Sequence, residues 1–162
     1  MAQMTFISPI GFLALRAENN MLTDVFFSHE IQSVQEDCNT EILEMTRLQL
    51  EQYFLGTRTR FEIPLFIGGT TFQKKVYDAL LDIPYAQVAG YAEIARIIGH
   101  PKAYRAVGSA NNKNRLAIIV PCHRVIGSDG SLIGYAGGLE KKRYLLDLEQ
   151  HYKRHPQGCL FV

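Results

Sequence analysis

The chain of 162 residues lacks tryptophan and has no apolar run long enough to cross a bilayer. Its start, Met1-Ala2-Gln3-Met4-Thr5-Phe6, has no basic stretch leading into a long apolar one, so no secretory signal is expected. Cysteine is scarce. Cys38, Cys122 and Cys159 are odd in number and widely separated, which fits neither a disulfide framework nor a CxxC zinc site. A reducing, cytoplasmic setting follows from that usage. Repeats and low-complexity tracts are missing. The glycine-rich stretch Gly134-Tyr135-Ala136-Gly137-Gly138 has neither the GxGxxG nor the P-loop spacing and is not a nucleotide loop. None of the five histidines has a plausible ligand set with Cys122, so no metal is expected there.

What is present is unevenly spread. The formal net charge of +1 conceals an asymmetry. Residues 1–60 hold four basic residues (Arg16, Arg47, Arg58, Arg60) and eight acidic ones. Residues 91–124 hold six basic residues (Arg96, Lys102, Arg105, Lys113, Arg115, Arg124) against Glu93 alone. A cationic segment of this kind suits an anionic partner and is expected to lower the pKa of a thiol beside it. A merely solvated basic surface explains the charge equally well.

Hydrophobic residues make up 47%, enough to bury a core in one compact domain or in a domain plus a small lobe. Three apolar runs, Met4–Ser8, Phe12–Ala17 and Leu22–Phe27, are separated by turn residues and read as strands. A helix follows from Asn39 or Thr40, either a good N-cap, to Leu55, with Gly56 just past its end. Ile42, Leu43, Leu50, Tyr53 and Phe54 fall on one face and form a core stripe. Residues 57–69 read as a linker. Thr70 or Thr71 caps a second helix with Phe72, Val76, Ala79 and Leu80 on one face, ended by Ile83-Pro84. Two shorter helices, Tyr91–Ile98 and Lys102–Asn111, meet at Gly99-His100-Pro101, which is helix-turn-helix spacing. A turn at Gly127-Ser128-Asp129-Gly130 and a last helix over Leu139–Gln150 complete the pattern.

Chemistry concentrates at Pro121-Cys122-His123-Arg124-Val125-Ile126-Gly127, where a thiol and an imidazole adjoin after the apolar run Leu116–Val120. Cysteine is the strongest side-chain nucleophile and histidine the commonest proton handler near neutral pH. A buried structural cysteine beside an incidental histidine is the competing explanation. Neighbours on an extended chain point to opposite faces, so the pair needs a turn or an intervening water to cooperate. The second helix of the pair, Lys102 to Asn111, carries small residues and one long cation near its middle, Arg105. It offers few base-edge donors, so it suits the minor groove with one inserted side chain and little sequence preference. Alternatively, the two helices simply pack in a core.

Taken together, Pro121-Cys122-His123-Arg124-Val125, preceded by Arg105-Ala106-Val107-Gly108 and followed by the Gly-Tyr-Ala-Gly-Gly loop, closely resemble the O6-alkylguanine-DNA alkyltransferases, also called methylated-DNA–protein-cysteine methyltransferases. The likeness runs from Phe72 to Glu149 and more loosely through Ser8-Pro9-Ile10-Gly11 and Tyr53-Phe54-Leu55-Gly56. It implies an α+β fold: a small N-terminal β-sheet and helix lobe, ribonuclease H-like, over 1–69, then a mostly helical, winged helix-turn-helix-like domain over 70–162. It implies that Cys122 accepts the alkyl group, that His123 takes the thiol proton through a water, and that Glu149 orients that histidine. Asn114 would hold the turn between the reading helix and the active site. Tyr91 would rotate the 3′ phosphate and bond the flipped base. Arg105 would enter the base stack, with Lys102, Ala103, Tyr104, Ala106 and Gly108 along the DNA face. Val125, Tyr135, Ala136 and Gly137 would line the alkyl pocket. The partner would be double-stranded DNA, bound by a monomer, with no metal and no cofactor. The thioether product has no activated leaving group, so each molecule would react once.

Departures from the family pattern are Arg115 where proline usually follows the asparagine, Tyr77 for a common tryptophan, Ala86 and Gly90 where glycine and serine are frequent, and Tyr104 for a smaller residue. They bear on groove fit and pocket detail and leave the reacting group alone. Three other readings compete. A non-catalytic lesion binder of the same fold would lack the cysteine. A Cys-His hydrolase would turn over repeatedly and need no basic helix-turn-helix. A helix-turn-helix regulator would read a palindrome as a dimer.

Overall fold

The computed structural model describes residues 1–31 and 39–156. Cys38, Cys159 and the end of the basic-then-apolar tail lie outside them. The chain divides into two compact units, Met1–Phe66 with Leu148–Val162, and Ile67–Asp147.

In the first unit β1 (Ala2–Ser8), β2 (Gly11–Glu18) and β3 (Met21–Ser28) form an antiparallel sheet in the order β1-β2-β3. The three strands fall where the apolar runs predict them. Asn19 and Asn20 close the β2–β3 hairpin at φ 52° and 59°. Two positive φ values in a two-residue loop match the right-handed twist of the flanking strands, and asparagine tolerates them. A register shift lies at Arg16/Ala17. α1 (Thr40–Phe54) packs across this sheet, and its predicted stripe Ile42, Leu43, Leu50, Tyr53 and Phe54 is buried with Met4, Leu13, Leu15 and Leu22. Asn39 stands at the N-cap but makes no capping bond. Its buried side chain instead accepts from the Asn20 amide at 2.9 Å, tying the hairpin turn to the helix start.

Part of the expected linker is structured. Leu65 pairs with Leu22 through Leu22 N to Pro64 O, 2.8 Å, and Phe66 N to Leu22 O, 2.9 Å. Hydrogen bonds that only an edge partner can accept outweighed the Pro and Gly signals there.

In the second unit Thr70 caps α2 (Thr71–Leu81), and the Gln73 side chain returns the bond to complete a capping box. Val76, Ala79 and Leu80 are buried as expected, Phe72 is half-buried and Tyr77 is buried too. α3 (Tyr91–Ile97) ends at Gly99, whose φ of 81° allows His100 N to reach Ala95 O and Gly99 N to reach Arg96 O. This is a Schellman stop. α4 spans Tyr104–Asn112, so Lys102 and Ala103 belong to the turn and not to the helix. The Ala103 amide bonds His100 O there, which delays the helix start. β4 (Ala89–Gly90) runs parallel to β5 (Val125–Ile126). Two-residue strands carry no periodicity, and this pairing was not legible in the sequence. It fixes the start of α3 beside the segment that follows Cys122. α5 (Leu139–Arg154) runs four residues beyond the expected Gln150. Its last part, from Leu148, groups with the first unit.

Two departures from the family pattern acquire a physical account. Ala86 lies at φ 60°, where glycine is at ease. The strain costs about 1–2 kcal/mol. A glycine there would forgo a buried methyl worth about 0.8 kcal/mol and add about 0.5–1 kcal/mol of chain entropy. The two sides nearly cancel, so alanine is tolerated. Tyr77 donates its hydroxyl to Ala110 O at 2.9 Å, satisfying the polar end of the residue that replaces tryptophan.

Gly56 ends α1 at φ 76°, and a Cβ there would overlap the ring of Tyr152. Left-handed strain and overpacking then act together. Gly56→Ala should lower unfolding stability by about 3 kcal/mol, measured as a drop in the urea midpoint. An unchanged midpoint would show that the helix end and Tyr152 are not packed as described.

Candidate active site

The apolar run Leu116–Val120 is a series of tight turns. Ile119 N bonds Ala117 O at 2.8 Å, Val120 N bonds Leu116 O at 2.9 Å, and Cys122 N bonds Val120 O at 2.7 Å. Ile118 is held at φ 70°, a region β-branched residues rarely enter. All five side chains from Leu116 to Val120 are buried, and that packing sustains the strained backbone. Cys122–Arg124 then forms one 3-10 turn. Of the two arrangements that adjacency in sequence demanded, a turn at Cys122–His123 is present.

Asn114 braces this turn. Its Oδ1 accepts from Leu116 N at 3.0 Å, its Nδ2 donates to Val120 O at 2.9 Å, and its side chain also hydrogen-bonds the Cys122 thiol. The loop is therefore fixed with Arg115, and not proline, after the asparagine. Asn111, on the buried face of α4, donates Nδ2 to Cys122 O at 3.3 Å. Arg124 turns away from solvent and donates to Ile83 O at 2.7 Å, with its guanidinium 5.7 Å from the Tyr85 ring.

Cys122 is 4% exposed. Burial pushes its thiol pKa up, and this outweighs the opposing effects of the Asn114 hydrogen bond, the Lys142 charge and the backbone amides of Cys122 and His123. The expectation that the basic segment lowers this pKa is thus corrected. Arg96, Lys102, Arg105, Lys113 and Arg115 are exposed, where solvent screens them, and desolvation of the sulfur dominates.

The cation that does act on the sulfur was missed. Lys142 is fully buried, and its Nζ donates to Val125 O at 2.6 Å, to Ile133 O at 3.0 Å and to Gly134 O at 3.4 Å. It lies 5.9 Å from the Tyr91 ring centroid. Burial lowers its pKa, and the charge of Cys122 acts to raise it. Within Lys141-Lys142-Arg143 it reads as one solvated cation of three. Its helical phase was the available signal, since it stands three residues before Leu145 and seven before Glu149, both buried.

Tyr91 opens α3 and donates its hydroxyl to Ile133 O at 2.8 Å. Burial first, and the Cys122 charge second, raise the pKa of Tyr91 and of Tyr77. Tyr77 stands out in the sequence only as a replacement for a common tryptophan. His123 is fully buried. Glu149 belongs to the other unit, where it is buried and accepts from the Tyr53 hydroxyl at 2.8 Å. Tyr53 had been given no chemistry, because its place in an apolar stripe hides the one polar atom at its tip.

The outer face of α4 carries Tyr104, Arg105, Ala106, Ser109 and Asn112, while Val107, Ala110 and Asn111 point inward. The Arg105 guanidinium sits 5.9 Å from the Tyr104 ring. Lys102 is exposed and Ala103 half-buried in the turn before the helix. Gly108 faces the Tyr91 ring, leaving room for ordinary contact with a methyl group. Of the expected pocket residues, Val125 is fully buried, Tyr135 and Gly137 are half-buried, and Ala136 is exposed on the 134–138 loop.

Fold and site define a thiol protein built on a helix-turn-helix, with the sulfur buried, hydrogen-bonded by an asparagine and within the electrostatic influence of a buried lysine. Residues 1–67 match the ribonuclease-like domain of 6-O-methylguanine DNA methyltransferase, and residues 71–151 match its DNA binding domain. The chain belongs to that family. It is 47% identical over 148 residues to a methylated-DNA–protein-cysteine methyltransferase of Methanosarcina acetivorans, covering 89% of this chain and 95% of that protein. A constitutive methylated-DNA–protein-cysteine methyltransferase of Bacillus subtilis is 45% identical over 151 residues, covering 88% and 92%. Among solved structures, Mycobacterium tuberculosis OGT in complex with DNA superposes with a TM-score of 0.83 at 43% identity, covering 92% of each chain.

Lys142→Met keeps the volume and removes the charge and its donors. A shift of one pKa unit is about 1.4 kcal/mol, or tenfold in thiolate fraction. Iodoacetamide labelling of Cys122 at neutral pH, mapped by mass, should slow by about that factor in the variant. Equal rates would remove Lys142 from the site.

Proposed function

We propose that this protein repairs DNA directly, by moving a methyl group from the O6 atom of guanine to Cys122 in one irreversible step. The observation that carries this reading is the buried Cys122 thiol, hydrogen-bonded by Asn114 and influenced by the Lys142 charge, in the unit whose exposed helix presents Arg105. The damaged carbon lies inside the duplex, so the guanine must be extruded at a cost of a few kcal/mol. Arg105, exposed on α4, fills the gap and offsets part of that cost. Tyr104, Ala106 and Lys102 extend the contact surface, and small residues on the helix let it sit in the minor groove with little regard to sequence. The partner is double-stranded DNA, and the protein acts as a monomer in a reducing, cytoplasmic setting, in keeping with the free Cys122 thiol. Among the described residues no helix is long and apolar enough to cross a membrane.

His123 takes the thiol proton through a water, and Glu149 orients that histidine. The sulfur electron pair forms the S–C bond while the C–O6 bond breaks, and its electrons pass to the guanine. Tyr91 exchanges its bond with Ile133 O for one to the base and supplies the proton that the leaving guanine needs. Val125, Tyr135, Ala136 and Gly137 surround the alkyl group. The products are S-methylcysteine and an intact guanine. Water does not regenerate the thiol from a thioether, so one molecule repairs one lesion.

A non-catalytic lesion binder of the same fold is the alternative, and the retained, braced Cys122 disfavours it. Incubation with duplex DNA carrying O6-methylguanine, followed by intact mass, separates the two. One methyl per chain on Cys122, with none in Cys122→Ala, is expected. Bound but unmodified protein would favour the alternative, and repeated turnover would contradict both. Arg105→Ala should slow methyl transfer from the duplex at least tenfold and leave iodoacetamide labelling of Cys122 unchanged. Equal loss in both assays would mean that Arg105 acts on the sulfur and not on the DNA.

A further inference from the structure

Between the end of α2 and α3 lies a cleft of about 260 Å³ that the Cys122 chemistry does not use. Its lining falls between Ala79 and Ile97 and includes no residue of α4, the helix that carries Arg105. Ile83 and Ile94 are buried at its floor. Val88 and Ile97 line it too but remain 48% and 64% exposed, so apolar surface continues outward from the floor. An apolar concavity of this kind gains free energy when it is covered.

The charged part of the lining has one sign. Asp82 and Glu93 are exposed, and no lining residue is basic. Among the described residues neither carboxylate has an ion pair. Glu93 is the lone acid of the basic segment 91–124, and one of its oxygens accepts from Gly90 N at 3.4 Å. Asp82 is the C-cap of α2, whose last turn holds no basic residue. The carbonyl end of a helix carries partial negative charge and favours a cation. An acid stands at that end instead, and nothing in the lining compensates the repulsion. Lys75 and Arg96, on the same two helices, are outside the lining and exposed, where solvent screens them. A cleft of one sign with apolar walls concentrates its potential, here toward cations and against DNA phosphate.

The volume narrows the occupant further. Pockets that enclose a small molecule span about 300–1,000 Å³, and this smaller cleft suits one or two side chains. Arginine and lysine lay an aliphatic stem along apolar surface and hold the charged head at its rim. We propose that this cleft docks a segment of a partner protein in which a basic side chain adjoins an apolar one. Asp82, Glu93 and the carbonyl end of α2 hold the cation, while Ile83, Ile94 and Ile97 cover its apolar neighbour. The cleft goes beyond methyl transfer and shares no side chain with it.

The test uses the full chain labelled with nitrogen-15, titrated with the capped peptide acetyl-Leu-Arg-Leu-amide. Saturable shifts are expected at amides within residues 79–97, with those of Tyr104–Asn112 unmoved. Glutamate in place of the peptide's arginine should weaken binding at least tenfold. Asp82→Asn combined with Glu93→Gln should weaken it at least fivefold, and the glutamine can still accept from Gly90 N. Ile97→Ser, which removes the apolar lip, should weaken it at least threefold. Lack of saturable shifts, shifts centred on α4, equal affinity for the glutamate peptide, or affinity unmoved in either variant overturns the cleft. Spermidine binding as tightly as the peptide overturns the protein partner in favour of a polyamine. The probe binds without DNA, so failure here leaves the proposed function standing, and the reverse also holds.

Discussion

The second unit depends on the hydrogen bonds of one side chain, Asn114. Two tie it to the backbone at Leu116 and Val120, and a third reaches the Cys122 sulfur. The apolar run between them folds as tight turns with Ile118 in a left-handed conformation. A non-glycine residue there costs about 1–2 kcal/mol, which bonds to Asn114 and burial of Leu116–Val120 must offset. The strain therefore has a location and a purpose: it places the sulfur at the start of a 3-10 turn and holds it there.

Burial sets the character of that sulfur. Desolvation works against the thiolate, while Asn114, Lys142 and two backbone amides work for it. Desolvation wins in the free protein, so the thiol stays mostly protonated. For a nucleophile used once, this balance is useful. A standing thiolate would be open to adventitious alkylation and oxidation. A protonated, 4% exposed thiol is protected until a substrate docks and its proton is withdrawn. Lys142 contributes twice, as a charge near the sulfur and as the donor that holds the carbonyls of Val125, Ile133 and Gly134. Tyr91 donates to the same Ile133 carbonyl, so the start of α3, the loop before Gly134 and the Lys142 ammonium share one network.

Much of this was legible in the sequence. The three strands, the α1 stripe, the Thr70 cap and the Gly99 stop follow from local patterns, and local patterns govern them in the structure. Cys122 stood out as the candidate acceptor through the family resemblance carried by Pro121-Cys122-His123-Arg124-Val125 after Arg105-Ala106-Val107-Gly108. What escaped depended on contacts between segments distant in the chain. The β4–β5 pairing is too short to show a period. Leu65 pairs with an edge 43 positions away in the numbering, Leu22, across an apparent linker. Lys142 and Tyr53 carry polar tips at the ends of stems that belong to the core, and composition registers only the charge of one and the ring of the other. The shift of the Cys122 pKa reversed the sequence expectation because charge is visible in a sequence and desolvation is not.

The protonation state of one sulfur is thus the hinge of the account, and it can be observed without any reaction. Labelling cysteine with carbon-13 at Cβ, in a chain carrying Cys38→Ser and Cys159→Ser, leaves a single resonance that reports the ionisation of Cys122 as pH is raised. The account predicts a midpoint above the ordinary thiol value in the DNA-free protein, moving higher still in Lys142→Met. A resonance already at its thiolate position at neutral pH would contradict it.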